Sequence, residues 1–270
     1  MPSITYRDLT TLEDFAGVVE LEKEIWGPGY DEVVPVPILA ITVMRGGILI
    51  GAFDADRMIG FVYSLAGIKH GKPTQWSHMA GVLEAYRGGV GYQLKILQRE
   101  RTLSMGLDLI EWTYDPMQAM NAHLNFAKLG VIAEEYEINV YGESTSPLHK
   151  GNPTDRFVAE WWVNEPRVEQ RLGGALPMAP IMTVEPAVRA RIAGEWLTPA
   201  AIDRSLDAKR ISVEIPTGFT EMLSSAPDLA LEWRMTTRDL FTTYFAIGYK
   251  AVEFFLDREA GKGSYLLVRR

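Results

Sequence analysis

A glycine-rich turn in the first half of the chain contains the residue types that most clearly predict chemistry. It reads Tyr86-Arg87-Gly88-Gly89-Val90-Gly91 and lies between a predicted strand and a predicted helix. Glycines permit positive φ angles and close approach of a ligand, so several backbone N–H groups converge on one anion beside the positive end of the helix dipole. The turn therefore predicts a diphosphate site. It is not a Walker loop, because Gly-Lys-Ser/Thr is absent.

Alternating strands and helices position this turn. The predicted strands are Ile4–Asp8, Ile48–Phe53, Met58–Ala66, Gln75–Leu83, Leu107–Asp115 and Ala133–Tyr141, and the predicted helices are Leu12–Ile25, Pro37–Arg45, Tyr92–Ser104 and Asn121–Leu129. This order predicts an α/β (α+β) fold with a mixed central sheet and helices on both faces. Because the turn follows the fourth strand and not the first, a dinucleotide fold of the usual arrangement is disfavoured.

A change of composition predicts a second domain. Gly, Ser, Thr, Asn and Pro dominate from Gly142 to Pro153, which indicates domains at residues 1–145 and 146–270. The later segments are predicted as a strand at Arg156–Val163, a turn-rich connection at Gly173–Pro180, a short helix at Glu185–Trp196, a strand at Ile211–Ile215, a helix at Asp228–Ile247 and a strand at Tyr249–Leu256. The last three resemble the segments from Leu107 to Tyr141, as in a degenerate half-repeat. The alternative, that β-α-β units simply look alike, stays equally open.

Composition excludes several classes of function. The net charge of −8 disfavours a nucleic-acid surface, and no apolar stretch is long enough for a membrane span. The absence of cysteine excludes disulfides and thiolate ligands, and the four histidines lack metal-ligand spacing, so we expect no metal. With no secretory signal at the N-terminus, a cytoplasmic protein is expected.

Two segments together resemble a known superfamily. Val82–Tyr92 looks like the coenzyme A loop of the GNAT acetyltransferases, whose pattern is Arg/Gln-x-x-Gly-x-Gly/Ala, with Tyr86 at the first position and Arg87 one place late. Asn121–Gly130 resembles the second signature helix of that superfamily. The resemblance covers about residues 4–141, where the order of elements also agrees.

The resemblance implies a GNAT fold and an acyl-CoA co-substrate, either acetyl-CoA or another acyl-CoA, with a small-molecule amine as acceptor. The cofactor-binding residues that it implies are Met79, Gly81, Val82, Leu83, Arg87, Gly88, Gly89, Val90, Gly91 and Tyr92. Asn121, Asn125 and Lys128 lie at i, i+4 and i+7 of a predicted helix, on a face that the superfamily turns toward the coenzyme. Without the resemblance, a solvated face would be the default.

The resemblance also implies where catalysis takes place. The strand Gln75–Leu83 would diverge from Leu107–Asp115, with the pantetheine arm between them and a backbone N–H stabilising the oxyanion. His78 is the first candidate for the base, because imidazole titrates in the useful range. Glu111 and Asp115 compete with it, since a carboxylate in a cleft gains a raised pKa.

Tyr114 is a substitute acid, because Phe126 occupies the position of the superfamily's usual tyrosine. Each of the four catalytic candidates also has a plainer interpretation: a half-buried histidine, a solvent-facing carboxylate, a turn cap or a packing aromatic.

The full-length pattern resembles a narrower group. Trp112–Pro116 and the segment Pro153–Phe157, followed by Trp161-Trp162, look like a GNAT subgroup with a C-terminal extension that is associated with N-acylamino acid racemases. That resemblance implies succinyl transfer to amino acids. Adjacent strand residues face opposite ways, so the two tryptophans cannot both be inward. A non-catalytic acyl-CoA sensor and a homodimer remain open alternatives.

Overall fold

A computed structural model of the chain describes residues 4–27, 30, 32–142, 151–174 and 184–269. They form two compact units, the first made of residues 1–112 with Trp162–Asn164 and the second of Thr113–Trp161 with Glu165–Arg270. The predicted boundary at residues 145/146 falls inside the second unit, within a segment (143–150) that lies outside the described residues. The compact units therefore differ from the predicted domains, because strands on both sides of that segment pair with each other.

The first unit is built on a sheet in which β1 to β5 lie in chain order. Its elements are β1 (Ile4–Asp8), α1 (Leu12–Trp26), α2 (Val36–Met44), β2 (Ile48–Asp54), β3 (Arg57–Lys69), β4 (Lys72–Val82), α3 (Val90–Ser104) and β5 (Leu109–Tyr114), of which residues up to Trp112 belong to this unit. The first four strands are antiparallel, and β4 and β5 are parallel. The mixed α/β sheet predicted from the sequence is confirmed.

Helices cover both faces of this sheet. Residues of β3 alternate between the faces, so Phe61 and Tyr63 point one way and Gly60 the other. Phe61 packs edge-on against Trp26 of α1. A side chain at Gly60 would instead meet Leu94 of α3. The apolar stripes of α1 and α3 thus bury opposite sides of the same strands.

The second unit carries a sheet of order β7-β6-β11-β12-β10-β8-β9. Its elements are α4 (Ala119–Ala122) continued by a π-helix (His123–Leu129), β6 (Ile132–Glu137), β7 (Arg156–Trp162), α5 (Pro166–Leu172), β8 (Glu185–Ala193), β9 (Trp196–Ala200), β10 (Arg210–Pro216), α6 (Phe219–Ser225), α7 (Pro227–Ala246), β11 (Tyr249–Asp257) and β12 (Lys262–Arg269). The predicted turn at Gly173–Pro180 lies mostly outside the described residues.

The strand order supports the internal repeat. In each copy, a helix with a fully buried aromatic residue, Phe126 or Tyr244, leads into an antiparallel hairpin, β6–β7 or β11–β12. The two hairpins meet through an antiparallel contact of Ala133 with Ala251. In the order β7-β6-β11-β12, the first strands of the two hairpins are therefore neighbours and the second strands lie outside them. Units that are similar but unrelated would not need to form this symmetric arrangement.

One predicted element is wrong. The segment Glu185–Trp196 was expected to be a short helix, but it forms most of the β8–β9 hairpin, in which Ala193 pairs with Trp196. The two-residue loop between them contains Gly194 at a φ of 66°, which is typical of tight hairpin turns. Alternation of small or apolar residues with arginines in 187–192 fits a strand better than a helix.

No helix within the described residues combines the length and apolarity needed to cross a bilayer. In that part of the chain, no three His, Asp or Glu side chains cluster as a metal site would require.

Candidate active site

The candidate site lies where β4 and β5 stop pairing. The pairing of these strands in the described part of the chain is limited to Gln75 with Ile110 and Trp76 with Glu111, although β4 continues to Val82. The edge of β4 beyond Trp76 therefore offers backbone groups to a ligand. We call the point where pairing ends, after Trp76 and Glu111, the apex.

A β-bulge bends β4 just beyond the apex. Ser77 pairs with Ser64 of β3 and Met79 with Tyr63, so His78 is the extra residue on its strand. Bulges increase local twist and redirect side chains. The candidate base is thus located at the position where β4 changes direction.

The glycine-rich turn follows the free edge of β4 directly. Gly88 and Gly89 have φ angles of 137° and 143°, which an L side chain rarely adopts, and a Cβ at either would meet open space. Gly89 begins α3, and no side chain of the described residues caps this helix end. The first backbone N–H groups of α3 therefore have no side-chain cap among the described residues, and the neighbouring Arg87 is exposed.

Tyr86 does not contribute to this turn as the superfamily's Arg or Gln would. Its hydroxyl donates a hydrogen bond of 2.7 Å to Asp54 at the end of β2. Tyr86 therefore ties the turn to the sheet, and Arg87 is the neighbouring side chain with a permanent charge.

A buried amine lies on the α3 side of the apex. Nζ of Lys95 donates to Ser77 Oγ at 2.8 Å and Gln98 Oε1 at 3.1 Å, and it lies 3.9 Å from the ring centroid of Trp112. Ser77 and Trp112 are the first residues of β4 and β5 beyond the paired positions. Burial lowers the pKa of Lys95 to about 7, and no carboxylate of the described residues pairs with it.

The opposite side of the apex presents His78. Its exposed ring packs edge-on against Tyr63 at a centroid distance of 5.9 Å, and partial loss of water lowers its pKa. A lowered pKa keeps the imidazole neutral, and hence able to accept a proton, at neutral pH. Beneath it, the hydroxyl of Tyr63 shares a hydrogen bond of 2.8 Å with Thr42 of α2.

A second titratable group lies on that side, on α1. Glu22 is fully buried, and its Oε2 accepts a hydrogen bond of 2.9 Å from the backbone N–H of Val34. Burial raises the pKa of Glu22 from 4.5 to about 7. Its charge also adds to the burial that raises the pKa of Tyr63.

The two carboxylate candidates on and after β5 are held in ion pairs. Glu111 lies 2.9 Å from Nζ of Lys69 and accepts a hydrogen bond from Thr74. Asp115 is buried and accepts two hydrogen bonds, of 2.8 and 2.7 Å, from Arg234. Both residues belong to the second unit. Although burial acts to raise the pKa of Asp115, the Arg234 guanidinium holds it below its ordinary value. The raised pKa expected for a base is therefore wrong for Asp115, which is a structural anion.

Tyr114 is placed in the aromatic core of the second unit. Its hydroxyl lies 3.2 Å from that of Tyr265, and its ring packs against Phe126 and Phe157. Burial raises the pKa of Tyr114 well above its ordinary value. This environment matches the packing role that the sequence left open, and it disfavours proton donation by Tyr114.

The predicted polar face of the second signature helix is wrong in one member. Asn121 and Lys128 are exposed, but Asn125 is buried. The backbone carbonyl of Asn125 accepts hydrogen bonds from the N–H groups of Gly130 and Val131. The cause is the π-helix from His123 to Leu129, whose wider turns shift residues relative to the α-helical spacing. Asn121, Asn125 and Lys128 belong to the second unit.

The structure places the two neighbouring tryptophans as alternation predicts. Trp161 is fully buried and donates to the carbonyl of Leu129 at 2.8 Å. Trp162 is 37% exposed and lines a cavity of about 290 Å³ in the first unit, together with Lys72 and Leu107.

Sequence reasoning missed Lys95 and Glu22. Each is a charged residue on the buried stripe of its helix: Lys95 falls in the series Leu94, Gln98 and Thr102, and Glu22 follows Phe15 and Val18. A charge at a core position of an amphipathic helix was the available signal.

The comparisons with known proteins give only distant structural neighbours. No protein-family model and no curated protein matches the chain. The ribosomal-protein-S18-alanine N-acetyltransferase from Escherichia coli is 13% identical, with 60% of this chain and 96% of that chain covered at a TM-score of 0.49. A GNAT-family acetyltransferase from Streptococcus pneumoniae is 15% identical, and the alignment covers 58% of this chain and 98% of that chain at a TM-score of 0.48.

The PaiA N-acetyltransferase from Thermoplasma acidophilum, solved with coenzyme A, is 16% identical. The alignment covers 58% of this chain and 98% of that chain at a TM-score of 0.41. The chain is thus similar in structure to GNAT acetyltransferases.

The Asp115–Arg234 pair gives a prediction about stability. Replacing Arg234 with Met leaves the carboxylate of Asp115 buried without its partner, so the free energy of unfolding at pH 7 should fall by about 3–5 kcal/mol. Urea denaturation measures the change. The control is Arg204→Met, which breaks an exposed pair with Asp239 and should alter stability by less than about 1 kcal/mol. Equal losses in the two variants would contradict the structural role of Asp115.

The raised pKa of Glu22 predicts a pH-dependent gain on its removal. The folded protein binds the Glu22 proton more tightly than the unfolded chain does, so stability is lost as pH rises from 4.5 through about 7. Glu22→Gln should therefore be more stable than the wild type by up to about 3 kcal/mol at pH 8, with little gain at pH 5. Urea denaturation at both pH values checks this, and the exposed change Glu20→Gln should show no such difference between them.

Proposed function

We propose that this chain is a cytoplasmic acyltransferase that moves an acyl group from coenzyme A to the amine of a small molecule. The observation that carries the proposal is the continuous path from the glycine-rich turn, along the free edge of β4, to the apex. The turn suits the diphosphate, the free edge suits the amide groups of pantetheine, and the apex suits the thioester.

Backbone groups would do most of the binding. Gly88 and Gly89 let the chain turn closely around a diphosphate, and the uncapped start of α3 adds N–H donors and the helix dipole. Along β4, the segment from Met79 to Leu83 would pair with pantetheine as a strand pairs with an edge. The charge of Arg87 would assist from the side.

At the apex, the acceptor amine must attack as a neutral nucleophile. A backbone N–H of β4 near Met79 would stabilise the oxyanion of the tetrahedral intermediate. His78 would take a proton from the attacking nitrogen, since its ring is exposed and its lowered pKa keeps it neutral at pH 7. The thiolate of coenzyme A needs no strong acid to leave, which is consistent with a packed Tyr114 and with Phe126.

For the donor, we propose an acyl chain that ends in a carboxylate, as in succinyl-CoA. An acyl group at the apex would extend past Ser77 toward Lys95, a buried amine without an anionic partner among the described residues. A terminal carboxylate would supply that partner and restore the charged form of the lysine. Amino-acid acceptors, as in the subgroup with racemases, fit this donor.

The turn predicts a specific loss of coenzyme binding. Gly89→Ala forces a strained φ of 143° or a change of the turn, so calorimetry should show acetyl-CoA binding weakened on the order of tenfold. Gly106→Ala is the matched control, because Gly106 also has a positive φ, follows the other end of α3 and has open space around it. Equal affinity in the two variants, or no heat from any acyl-CoA with the wild type, would refute the proposed site.

Lys95 predicts the preference for donor. In Lys95→Met, the ratio of kcat/KM for succinyl-CoA to that for acetyl-CoA should fall at least tenfold, because the partner of the terminal carboxylate is gone. Thiol release with a panel of amino acids measures both rates. Lys72→Met, an exposed change on β4, should leave the ratio unaltered. A ratio unchanged in Lys95→Met would remove the argument for an anionic donor.

Turnover separates this proposal from the alternative of an acyl-CoA sensor. A sensor would bind an acyl-CoA but release no thiol with any amine of the panel. The packed Tyr114 and the displaced Arg87 are the features that favour a sensor, whereas an exposed, neutral His78 beside the bulge favours turnover.

A further inference from the structure

A buried carboxyl group lies on the His78 side of the sheet with one oxygen unsatisfied. Oε2 of Glu22 accepts the N–H of Val34 at 2.9 Å, but Oε1, also buried, has no hydrogen-bond partner. Glu22 is fully buried on α1. Most buried polar atoms in folded proteins are hydrogen-bonded, so the unsatisfied oxygen requires an explanation.

Neither protonation state of Glu22 removes the defect. The ionised carboxylate has a charge with one N–H donor and no cation, and no described residue pairs with it. The protonated form must still use one oxygen to accept from Val34, so its own O–H has no acceptor. The ionised form therefore lacks a group that donates N–H bonds and carries positive charge.

Packing places Glu22 over the same strands as the candidate base. Glu22, Ile25 and Trp26 share one face of α1, and a side chain at Gly81 of β4 would collide with Ile25 and Trp26. The charge of Glu22 reaches the hydroxyl of Tyr63, whose ring packs against His78.

We propose that Glu22 binds the acceptor as an alkylammonium ion and takes its first proton, a role that rests on the proposed acyl transfer. An ammonium N–H would give Oε1 the hydrogen bond that it lacks, and the ammonium charge would offset the buried carboxylate. Proton transfer to Glu22 leaves a neutral amine with a free electron pair.

The remaining steps balance with groups already described. The amine nitrogen forms a bond to the thioester carbon, and His78 takes the second proton from that nitrogen. The C–S bond then breaks, and the thiolate receives the proton from His78. Glu22 afterwards releases the first proton to solvent, so an ammonium and an acyl thioester yield an amide, free thiol and one proton.

Burial makes Glu22 a stronger base than an ordinary carboxylate, although the N–H of Val34 acts in the opposite direction. The groups near Glu22 on this side are the backbone N–H of Val34, the hydroxyl of Tyr63 on β3 and, beyond Tyr63, the ring of His78 on β4, and none carries a positive charge at neutral pH. The pKa of Glu22, raised to about 7, is closer to the pKa of an alkylammonium, about 10, than the pKa of an exposed carboxyl group is. Proton transfer is thus less unfavourable than to a surface carboxylate.

Carbon-13 NMR of glutamate-labelled protein tests the binding step without turnover. One carboxyl resonance should titrate near neutral pH and disappear in Glu22→Gln. Saturating n-butylamine or benzylamine should lower its midpoint by at least one pH unit, because a bound cation favours the carboxylate, whereas n-butanol and benzyl alcohol should not. A midpoint unmoved by either amine would overturn the proposal.

Kinetics test the proton transfer. For the amine that the wild type acylates best, Glu22→Gln should lower kcat/KM at least about 100-fold and abolish the limb of the pH profile near neutrality. Its affinity for acetyl-CoA should stay within about twofold of wild type. Glu20→Gln, on the exposed face of the same helix, is the matched control.

The outcomes separate this role from the acyl transfer itself. An active wild type with an equally active Glu22→Gln variant refutes the role of Glu22 alone. An amine-dependent shift of the Glu22 resonance without binding of any acyl-CoA refutes the acyl transfer and leaves an ammonium site. If neither the shift nor binding is seen, both proposals fail.

Discussion

The divergence of β4 from β5 is the constraint on which the candidate site depends. Two parallel pairs, ending at Trp76 and Glu111, hold the strands together, and the bulge at His78 then turns β4 away. Unpaired strand edges are normally covered or shortened, because their N–H and C=O groups need partners. Here the edge runs on to a helix start that is also uncapped. The unpaired edge and the uncapped helix start follow one another along the chain, as the proposed extended ligand would require.

Buried charges separate into two kinds within this chain. In the second unit, Asp115 pairs with Arg234, and Asp155 with Arg238, each through two hydrogen bonds. Such pairs offset the loss of hydration and fix the packing around them. In the first unit, Lys95 and Glu22 have no opposite charge among the described residues, and burial moves the pKa of each toward 7. Uncompensated charges lower stability, which is why we assign Lys95 and Glu22 to the proposed ligands and not to folding.

The sequence predicted most of the fold because its signals were local. Gly27, Gly46 and Gly106 end helices at positive φ, and alternating apolar residues define β2 and β3. The hairpin at 185–200 was missed because the alternation that indicates a strand covers only residues 187–192, and pairing with β9 and β10 is what stabilises the longer strand. The misplacement of Asn125 has a different cause: the π-helix at His123–Leu129 has no recognised local signature.

The site was predictable only in its backbone part. The spacing of Gly88, Gly89 and Gly91 gave the turn, and the resemblance gave the divergence of strands. The environments of Glu22 and Lys95 could not be predicted from periodicity. Periodicity shows that a charged residue lies on the buried face of a helix, but not whether a residue of another element pairs with that charge. Asp115 illustrates the converse: it looked free for catalysis until Arg234, distant in sequence, was seen to pair with it.

The two unpaired charges lie on opposite sides of the sheet, and this polarity fits the direction of the proposed reaction. Lys95, on the α3 side, favours negative charge, as a terminal carboxylate of the donor would supply. Glu22, on the α1 side, favours positive charge, as an ammonium acceptor would supply. A neutral donor and a neutral acceptor would leave both charges uncompensated in the bound state. In the proposed reaction, these two groups would therefore favour an anionic acyl group and a cationic amine together, with His78 as the base at the bend of β4.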